Sequence, residues 1–231
     1  EGTGFTTADS SGNGNAGTIT DATWGTDEVR ENYLIFNGET SIVDPALTLP
    51  VMTDLNDFTW TVWVNSQLAI GPTQQNAVIF GNRYDAAGLE FTPRQFTKLT
   101  PTKFEWHQNG NGNDNLDVPD LVAGDWHHIA IVKDGLDLEY FFDGISTGTR
   151  TLTELIGSVA HPFFIGGQAN TGSVNEFFNG YIDDVRIYDE ALTLGDIREI
   201  VDDTNLAPSF PENVFARANA TVGTAYTASI S

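Results

Sequence analysis

Two neighbouring stretches of the sequence carry side chains of the kind that bind sugars. Trp106 and His107 end a predicted strand (KFEWHQ), and the segment 108–120 that follows (QNGNGNDNLDVPD) is rich in Asn and Asp, with Asp114 near its centre. An indole ring stacks on the C–H face of a pyranose, and amide and carboxylate groups hydrogen-bond to hydroxyls. The pattern therefore predicts a ligand-binding loop or, alternatively, a hairpin tip of the same composition.

Trp63 and the pair Arg83 and Tyr84 are predicted to complete this site. In the strand 58–64 (FTWTVWV), alternate side chains face opposite sides, so Trp63 points away from the apolar set. It faces an open concave surface or belongs to a second core layer under a loop. Arg83 and Tyr84 follow another predicted strand and would form the opposite wall. The predicted ligand-binding residues are Trp63, Arg83, Tyr84, Trp106, His107 and Asp114.

A loop near the start of the chain combines oxygen donors with glycines. In DSSGNGNAG, Asp9 offers a carboxylate, Asn13 and Asn15 offer amide oxygens, and Gly12 and Gly14 allow backbone carbonyls to turn inward. Ca²⁺ prefers such oxygen ligands. The loop therefore predicts a calcium site, with a pair of Asn-Gly turns and a capping Asp as the alternative.

The net charge and the hydrophobicity of the chain exclude some classes of binding partner. The 32 acidic and 10 basic residues give a formal net charge of −22, which repels phosphate backbones and argues against nucleic acid as a partner. No apolar run approaches the roughly 20 residues that a membrane-spanning helix needs, so membrane insertion is not expected. There is no cysteine, which excludes disulfides and thiolate metal sites.

Short apolar or alternating runs separated by Gly, Asn, Asp and Pro predict an all-β fold. The clearest predicted strands are 33–37, 58–64, 77–80, 103–108, 126–133, 137–142, 162–165 and 180–188. Asp143-Gly144 predicts a hairpin turn, because both positions of such turns need a positive φ. The segment 191–201 (ALTLGDIREIV) is the one helical patch and closes the main domain.

The amino-acid composition of the chain changes after this helical segment. Pro208 and Pro211 follow a polar stretch and are typical of a linker. We therefore expect a main domain over 1–205 and, over 206–231, a linker and the start of a further repeat whose other strands lie beyond Ser231. The chain is expected to be a piece of a longer, processed polypeptide.

Several motifs in order resemble the laminin G-like jelly-roll domains of the concanavalin A-like superfamily, which includes pentraxins. They are ADSSGNGNAGTI (8–19), YLIFNGETSIV (33–43), FTWTVWVNS (58–66), GDWHHIAIVKDG (124–135), YFFDG (140–144), FFIGG (163–167) and NGYIDDVRIYDEAL (179–192). The resemblance implies a sandwich of two antiparallel sheets and a secreted or cell-surface protein. The tail from Ala207 resembles the start of an Ig-like repeat.

The same resemblance implies a calcium ligand set and bears on catalysis. Relatives hold calcium with an N-terminal loop, a carbonyl after the FNG-like strand and an acid of the last strand, which correspond to Asp9, Gly38 and Asp184; with Asn15 these are the predicted metal ligands. Hydrolases on this fold carry ExDxxE, which is absent, and Glu105 has no acidic residue two positions away. The motifs of alginate-type lyases are absent as well, so catalysis is not expected.

The adjacent His127 and His128 invite a metal or acid–base interpretation, because histidine titrates near neutrality. They lie in WHHIAIV, a run that the family shares without shared chemistry. We therefore interpret them as structural, with one imidazole packed beneath the sandwich and the other facing outward.

These observations predict a non-catalytic, calcium-dependent or calcium-stabilised carbohydrate-binding module of a large extracellular bacterial protein, either an adhesin or a modular polysaccharide-degrading enzyme. Its partners would be a polysaccharide or glycan and the neighbouring repeats of the same chain. A structural or protein-binding spacer is the second interpretation. A polysaccharide lyase or glycoside hydrolase on the same fold is the third.

Overall fold

The computed structural model describes residues 2–45, 56–67, 77–81, 84–85, 95–99, 104–108, 123–152, 163–167, 169–170 and 177–203. Residues 77, 84–85, 95–99, 104–108, 169–170 and 203 are described by their backbone alone. The strands in chain order are Thr6–Thr7 (β1), Gly17–Thr20 (β2), Thr23–Gly25 (β3), Tyr33–Asn37 (β4), Ile42–Asp44 (β5), Phe58–Ser66 (β6), Ala77–Gly81 (β7), Tyr84–Asp85 (β8), Gln95–Leu99 (β9), Phe104–Gln108 (β10), His127–Asp134 (β11), Asp137–Phe142 (β12), Ile145–Thr151 (β13), Phe164–Ile165 (β14), Ala169–Asn170 (β15) and Asn179–Tyr188 (β16).

Two seven-stranded antiparallel sheets form the sandwich. Sheet A has the order β1-β2-β5-β14-β7-β9-β10, and sheet B has the order β13-β12-β11-β6-β16-β4-β3. A short parallel pair, β8 and β15, stands apart from both sheets. The predicted all-β class and two-sheet jelly roll are confirmed, and the predicted strands are present with ends shifted by one or two residues.

The core lies between the two sheets, and β6 shows how alternation builds it. Phe58, Trp60, Val62 and Val64 are fully buried in the core cluster. The Trp60 ring lies 5.4 Å from the ring of Phe80 in sheet A. The opposite, outer face of β6 carries Thr59, Thr61, Trp63 and Asn65, as the two-residue period predicts.

A helix, α1 (Leu194–Asp203), covers part of the outer face of sheet B. Its Ile197 packs on Ala130, Val132 and Phe141, side chains of β11 and β12. The Thr193 hydroxyl accepts a hydrogen bond from the Asp196 N–H, and the Asp196 carboxylate accepts one from the Thr193 N–H, which caps the helix.

The predicted helical patch is thus confirmed and closes the sandwich. Within the described part of the chain, no helix is long and apolar enough to cross a membrane. The predicted repeat over 206–231 lies outside the described residues.

The predicted Asp143-Gly144 turn is confirmed. Asp143 has a φ of 49° and Gly144 a φ of 73°, and the turn joins β12 to β13. Two successive left-handed residues match the right-handed twist of a hairpin.

Gly166 provides a test of how tightly the two sheets are packed. It has a φ of 81°, and a Cβ atom at this position would overlap the ring of Phe36. Because left-handed strain and overpacking act together, we expect Gly166→Ala to lower the free energy of unfolding by about 2 to 4 kcal/mol. The matched control is Gly135→Ala, which has a φ of 58° and no neighbouring atom within 4 Å.

We expect the control to cost only about 1 kcal/mol, because it carries the backbone strain without the overlap. Urea denaturation of both variants measures the difference. Equal losses would contradict the close packing around Phe36.

Candidate functional site

The outer face of sheet B beyond α1 carries polar and aromatic side chains in rows. The ladder register places Asp183, Trp63 and His128 side by side on β16, β6 and β11. One row further, toward the end of β6, Tyr181 lies opposite Asn65. These rows lie beside the part of the sheet that α1 covers.

An arginine lies over this face. The Arg30 guanidinium lies 4.6 Å from the ring centre of Trp63 and 5.8 Å from that of Trp126. Its Nε donates a 2.6 Å hydrogen bond to Asp183 Oδ2, and both side chains are almost fully buried. A guanidinium between two indoles gains cation–π and stacking energy. The Arg30 charge is therefore compensated by Asp183 within the protein.

Two tyrosines extend this surface. The rings of Tyr33 and Tyr181 are stacked with centres 4.8 Å apart, and the Trp126 ring meets Tyr33 edge-on at 5.3 Å. Trp63, Trp126 and Tyr181 are partly exposed, whereas Tyr33 is buried. We call Arg30, Tyr33, Trp63, Trp126 and Tyr181 the aromatic–arginine platform.

The loop between β3 and β4 positions Arg30 through Asp27. The Asp27 Oδ1 accepts hydrogen bonds from the N–H groups of Val29 and Arg30, and Oδ2 accepts one from Trp126 Nε1 at 3.1 Å. Burial acts to raise the pKa of Asp27, but these hydrogen bonds outweigh it and hold the pKa below its usual value. A single ionised carboxylate thus ties the loop to the platform.

A β-bulge in β16 supplies a second ion pair beside the platform. The register shifts between Asp183 and Arg186, and Asp184 takes a φ of 49°. Its carboxylate accepts two hydrogen bonds of 2.7 Å from Arg186, in a bidentate pair. Val185 meanwhile enters the core between the sheets. The bulge therefore allows two consecutive aspartates, Asp183 and Asp184, to pair with two different arginines.

His128 lies beside Trp63 on the neighbouring strand, with the two ring centres 5.3 Å apart, and is fully buried. Among the described residues, neither of its ring nitrogens has a hydrogen-bond partner. Burial lowers the pKa of His128 to about 4; Asp184 opposes this effect and Arg186 adds to it. The imidazole is therefore neutral at physiological pH.

The interpretation of the histidine pair needs a correction. His128 does point to the outer face, but the layer above covers it completely. His127 points inward, stacks on Phe142 and shares a 2.9 Å hydrogen bond with Asp143. Neither imidazole offers an exposed chemical group, which agrees with a structural role for both.

Asp183 lies beside Trp63 on the strand opposite to that of His128 and is also buried. Burial raises its pKa to about 7, although the neighbouring Arg30 acts in the opposite direction. Its Oδ1 has no hydrogen-bond partner within the described part of the chain, and the same holds for Trp63 Nε1 and Thr61 Oγ1. Trp63 thus lies between two buried polar side chains of the neighbouring strands, His128 and Asp183.

The predicted ligand-binding residues Trp63 and Trp106 lie on strands of different sheets. Trp63 belongs to the platform, and its side chain points away from sheet A. Trp106 and His107 lie on β10, an edge strand of sheet A, so they do not share a face with Trp63. The backbone of Tyr84 lies in β8. The side chains of Tyr84, Trp106 and His107, and residues Arg83 and Asp114 as a whole, lie outside the described residues.

Two of the predicted calcium ligands do lie together. The Asp9 carboxylate accepts hydrogen bonds from the N–H groups of Ser11 and Asn15, at 2.9 and 2.8 Å, and from the Ser11 hydroxyl. Burial acts to raise the pKa of Asp9, but these bonds lower it below its usual value. The loop is therefore closed by N–H and O–H donors around the carboxylate, as in the capped-turn alternative.

The other two predicted ligands are remote from one another. Gly38 donates its N–H to the Phe178 carbonyl and lies against Asn179. Asp184 lies five residues after Asn179 in β16, which at a strand rise of about 3.3 Å per residue, less the shortening at the bulge, amounts to about 15 Å. Ligands of one Ca²⁺ lie within about 2.6 Å of the ion, so Gly38 and Asp184 do not fit a single site.

Nor do the described residues bring together three His, Asp or Glu side chains that could hold a metal. The predicted set of Asp9, Asn15, Gly38 and Asp184 thus does not form one coordination sphere. Calcium binding by this chain stays a prediction.

With the sandwich and the platform described, the comparisons identify the family. The family model of the concanavalin A-like lectin/glucanase superfamily, laminin G type, matches residues 37–198, more than half of the chain. The chain belongs to this superfamily. This confirms the resemblance seen in the sequence motifs. A search of curated protein sequences finds no match to this laminin G-like chain.

Solved structures share the fold at low sequence identity. Domain 4 of AbnA, an extracellular GH43 arabinanase from Geobacillus stearothermophilus in complex with arabinotriose, is 19% identical with a TM-score of 0.59; the match covers 86% of this chain and 92% of that one. A putative carbohydrate-binding protein from Bacteroides ovatus is 16% identical with a TM-score of 0.52, over 79% of this chain and 45% of that one. A mutant of Trypanosoma rangeli sialidase is 14% identical with a TM-score of 0.61, over 83% and 30%.

The sequence interpretation missed most of the platform. Arg30, Tyr33, Trp126 and Tyr181 were not singled out, because they are dispersed over the chain and Trp126 belongs to a run shared across the family. His127 pairs with the core-facing Val64, so Trp126, one residue earlier, takes the opposite face, which is that of Trp63. Nothing in the sequence indicates that Arg30 lies between the two indoles.

Proposed function

We propose that this laminin G-like domain is a non-catalytic carbohydrate-binding module of an extracellular protein, and that the aromatic–arginine platform binds the glycan. The observation that carries the proposal is the group of partly exposed rings, Trp63, Trp126 and Tyr181, on one rigid sheet face. Their orientation is held by Arg30 and Asp27. A preorganised aromatic surface gains binding energy without the entropy cost of ordering loops.

The comparisons support a carbohydrate ligand in general. The superfamily is described as lectins and glucanases, and one structural neighbour was solved with arabinotriose. Another is described as a putative carbohydrate-binding protein. The superfamily and these neighbours support a carbohydrate as the class of ligand, and the platform is the surface that we propose for its binding.

The proposal excludes catalysis by this face on chemical grounds. Retaining glycosidases hold two carboxyl groups about 5 Å apart at the scissile bond, one as acid and one as nucleophile. The aspartates at the platform, Asp27, Asp183 and Asp184, each accept hydrogen bonds from a neighbouring donor. Among the described residues of this face, Asp183 and Asp184 are each held by an arginine, which supports a binding role for the face over a catalytic one.

Binding is tested on a glycan array followed by calorimetry with the best ligand. Because contacts to an open sheet face are shallow, we expect a Kd between about 10 μM and 1 mM. Trp126→Ala should weaken binding at least about tenfold, since a stacked aromatic contributes about 1 to 3 kcal/mol. Phe5→Ala is the matched control, because Phe5 is an aromatic residue that is 81% exposed and lies beside sheet A.

A third variant separates the two possible locations. If Trp106→Ala abolishes binding and Trp126→Ala does not, the site lies at β10, as the sequence predicted. If no glycan binds at all, the module acts as a spacer and the proposal fails.

Calcium belongs to the proposal only as a stabilising ion. A ligand that binds the folded state alone raises the melting temperature by mass action. Elemental analysis, together with melting curves recorded with calcium and with a chelator, tests this. A lower melting temperature in chelator supports calcium, and identical curves with no bound metal reject it.

A further inference from the structure

Above about pH 7, where Asp183 is ionised, the charges at the aromatic–arginine platform are compensated within the protein. Arg30 is bound to Asp183 at 2.6 Å, and Arg186 is bound to Asp184 by two contacts of 2.7 Å. An acidic sugar bound by either arginine would have to displace a carboxylate that is already buried beside it. Such a displaced, buried carboxylate would lose its partner, which is costly.

The surroundings add negative charge. Asp27, at the exposed rim, accepts three hydrogen bonds through its carboxylate, and these bonds hold its pKa below its usual value, so it carries a negative charge there. The whole chain has 32 acidic and 10 basic residues. At low salt this field extends over a Debye length and repels a polyanion before contact.

The shape of the platform favours stacking over ionic recognition. The Arg30 guanidinium lies 4.6 Å from the ring centre of Trp63 and 5.8 Å from that of Trp126, and its side chain is only 4% exposed, so it offers no open fork of donors to a ligand. The partly exposed atoms are those of Trp63, Trp126 and Tyr181. Such surfaces match the C–H face of an uncharged sugar ring.

We infer that the ligand of the platform is an uncharged polysaccharide, and that uronic-acid and sialic-acid glycans are rejected. This inference rests on the proposed function, and it adds the class of glycan. The aspartates that neutralise Arg30 and Arg186 determine this selectivity, while the aromatic rings provide the affinity.

The test uses an array of neutral polysaccharides (arabinan, xylan, β-glucan) and acidic ones (polygalacturonate, alginate) at about 20 mM and about 1 M salt. We expect neutral ligands to bind equally well at both salt concentrations and acidic ligands to bind at neither. Preferential binding of an acidic polysaccharide overturns the inference while it supports glycan binding. Silence of the whole array overturns the proposed function itself.

A matched ligand sharpens the test. Oxidising the primary hydroxyls of the bound neutral polysaccharide to carboxylates keeps its backbone and adds charge. We expect the oxidised form to bind at least about tenfold more weakly at low salt, because like charges then face each other. Equal or tighter binding of the oxidised form overturns the inference.

The variant Asp183→Asn should weaken the selectivity against acidic ligands. It removes the carboxylate that compensates Arg30, so we expect affinity for the oxidised ligand to rise about fivefold at low salt. A folded variant without any gain contradicts the role of Asp183. Should the variant fail to fold, Asp184→Asn makes the same test at Arg186, and the oxidised ligand on the unmodified protein still decides the inference.

Discussion

Arg30→Ala is expected to lower the free energy of unfolding by about 3 to 5 kcal/mol at neutral pH and to abolish ligand binding. The substitution leaves the Asp183 carboxylate buried without its partner, and removing one member of a buried ion pair costs about this much. It also removes the guanidinium that separates Trp63 from Trp126. Urea denaturation and calorimetry measure the two effects.

The pH dependence of this loss identifies its cause. Without Arg30, the already raised pKa of Asp183 should rise further, because burial and the neighbouring Asp184 charge both raise it and the opposing charge and hydrogen bond of Arg30 are gone. A carboxyl group whose pKa is raised in the folded state stabilises that state at low pH and loses this contribution as the pH rises. Arg30→Ala should therefore be less destabilised at about pH 5 than at about pH 8.

Two further variants serve as controls. Arg150→Ala changes an exposed arginine on β13 and should cost less than about 1 kcal/mol. The double variant Arg30→Met, Asp183→Leu should recover much of the stability, because it removes both buried charges. A loss in Arg150→Ala as large as in Arg30→Ala would contradict the special role of the buried pair.

The second large effect concerns His128, which should make the protein lose stability as the pH falls below about 6.5. Its pKa is about 4 in the folded protein. Between these values the unfolded chain takes up a proton that the folded chain does not, so acid favours unfolding. The full effect, reached near pH 4, is about 3 kcal/mol.

The variant His128→Phe isolates this effect, because it keeps an aromatic ring beside Trp63 and removes the titrating group. Asp183 titrates in the opposite sense, since its pKa is raised to about 7 and acid stabilises the folded state through it. The measurement is therefore the difference between the denaturation free energies of His128→Phe and of the unmodified protein, followed from neutral pH to about pH 4.5.

This difference should shift in favour of His128→Phe as the pH falls. A pH-independent difference for His128→Phe would show that the imidazole is not buried as a neutral group.

The sequence alone determined the fold class and the core of this domain. Alternation in β6 assigns Phe58 and Trp60 to one face and Trp63 to the other, because successive side chains of a strand point to opposite sides. Asp143-Gly144 predicts its hairpin through the backbone conformation that glycine permits. These signals are local, so they can be read without knowing where the rest of the chain lies.

The motif order also determined the superfamily, and the helical patch correctly marked the segment that covers sheet B. The functional sites were harder to predict from the sequence. Gly38 and Asp184 were joined by resemblance, but the register of β4 and β16 places them about 15 Å apart. Trp63 and Trp106 were assigned to one surface, although their strands belong to different sheets.

Only the tertiary structure decided which side chains form the platform. Arg30, Trp63, Trp126 and Asp183 come from three strands or strand ends and one loop, and their contacts depend on strand order, register and the bulge at Asp184. A bulge shifts the side-chain alternation by one residue, so sequence counting across it fails. The burial of His128 likewise follows from the layer above it and not from its neighbours in the chain. Local pattern thus specifies which face a residue occupies, whereas the set of residues that meet on that face is a property of the folded sheet.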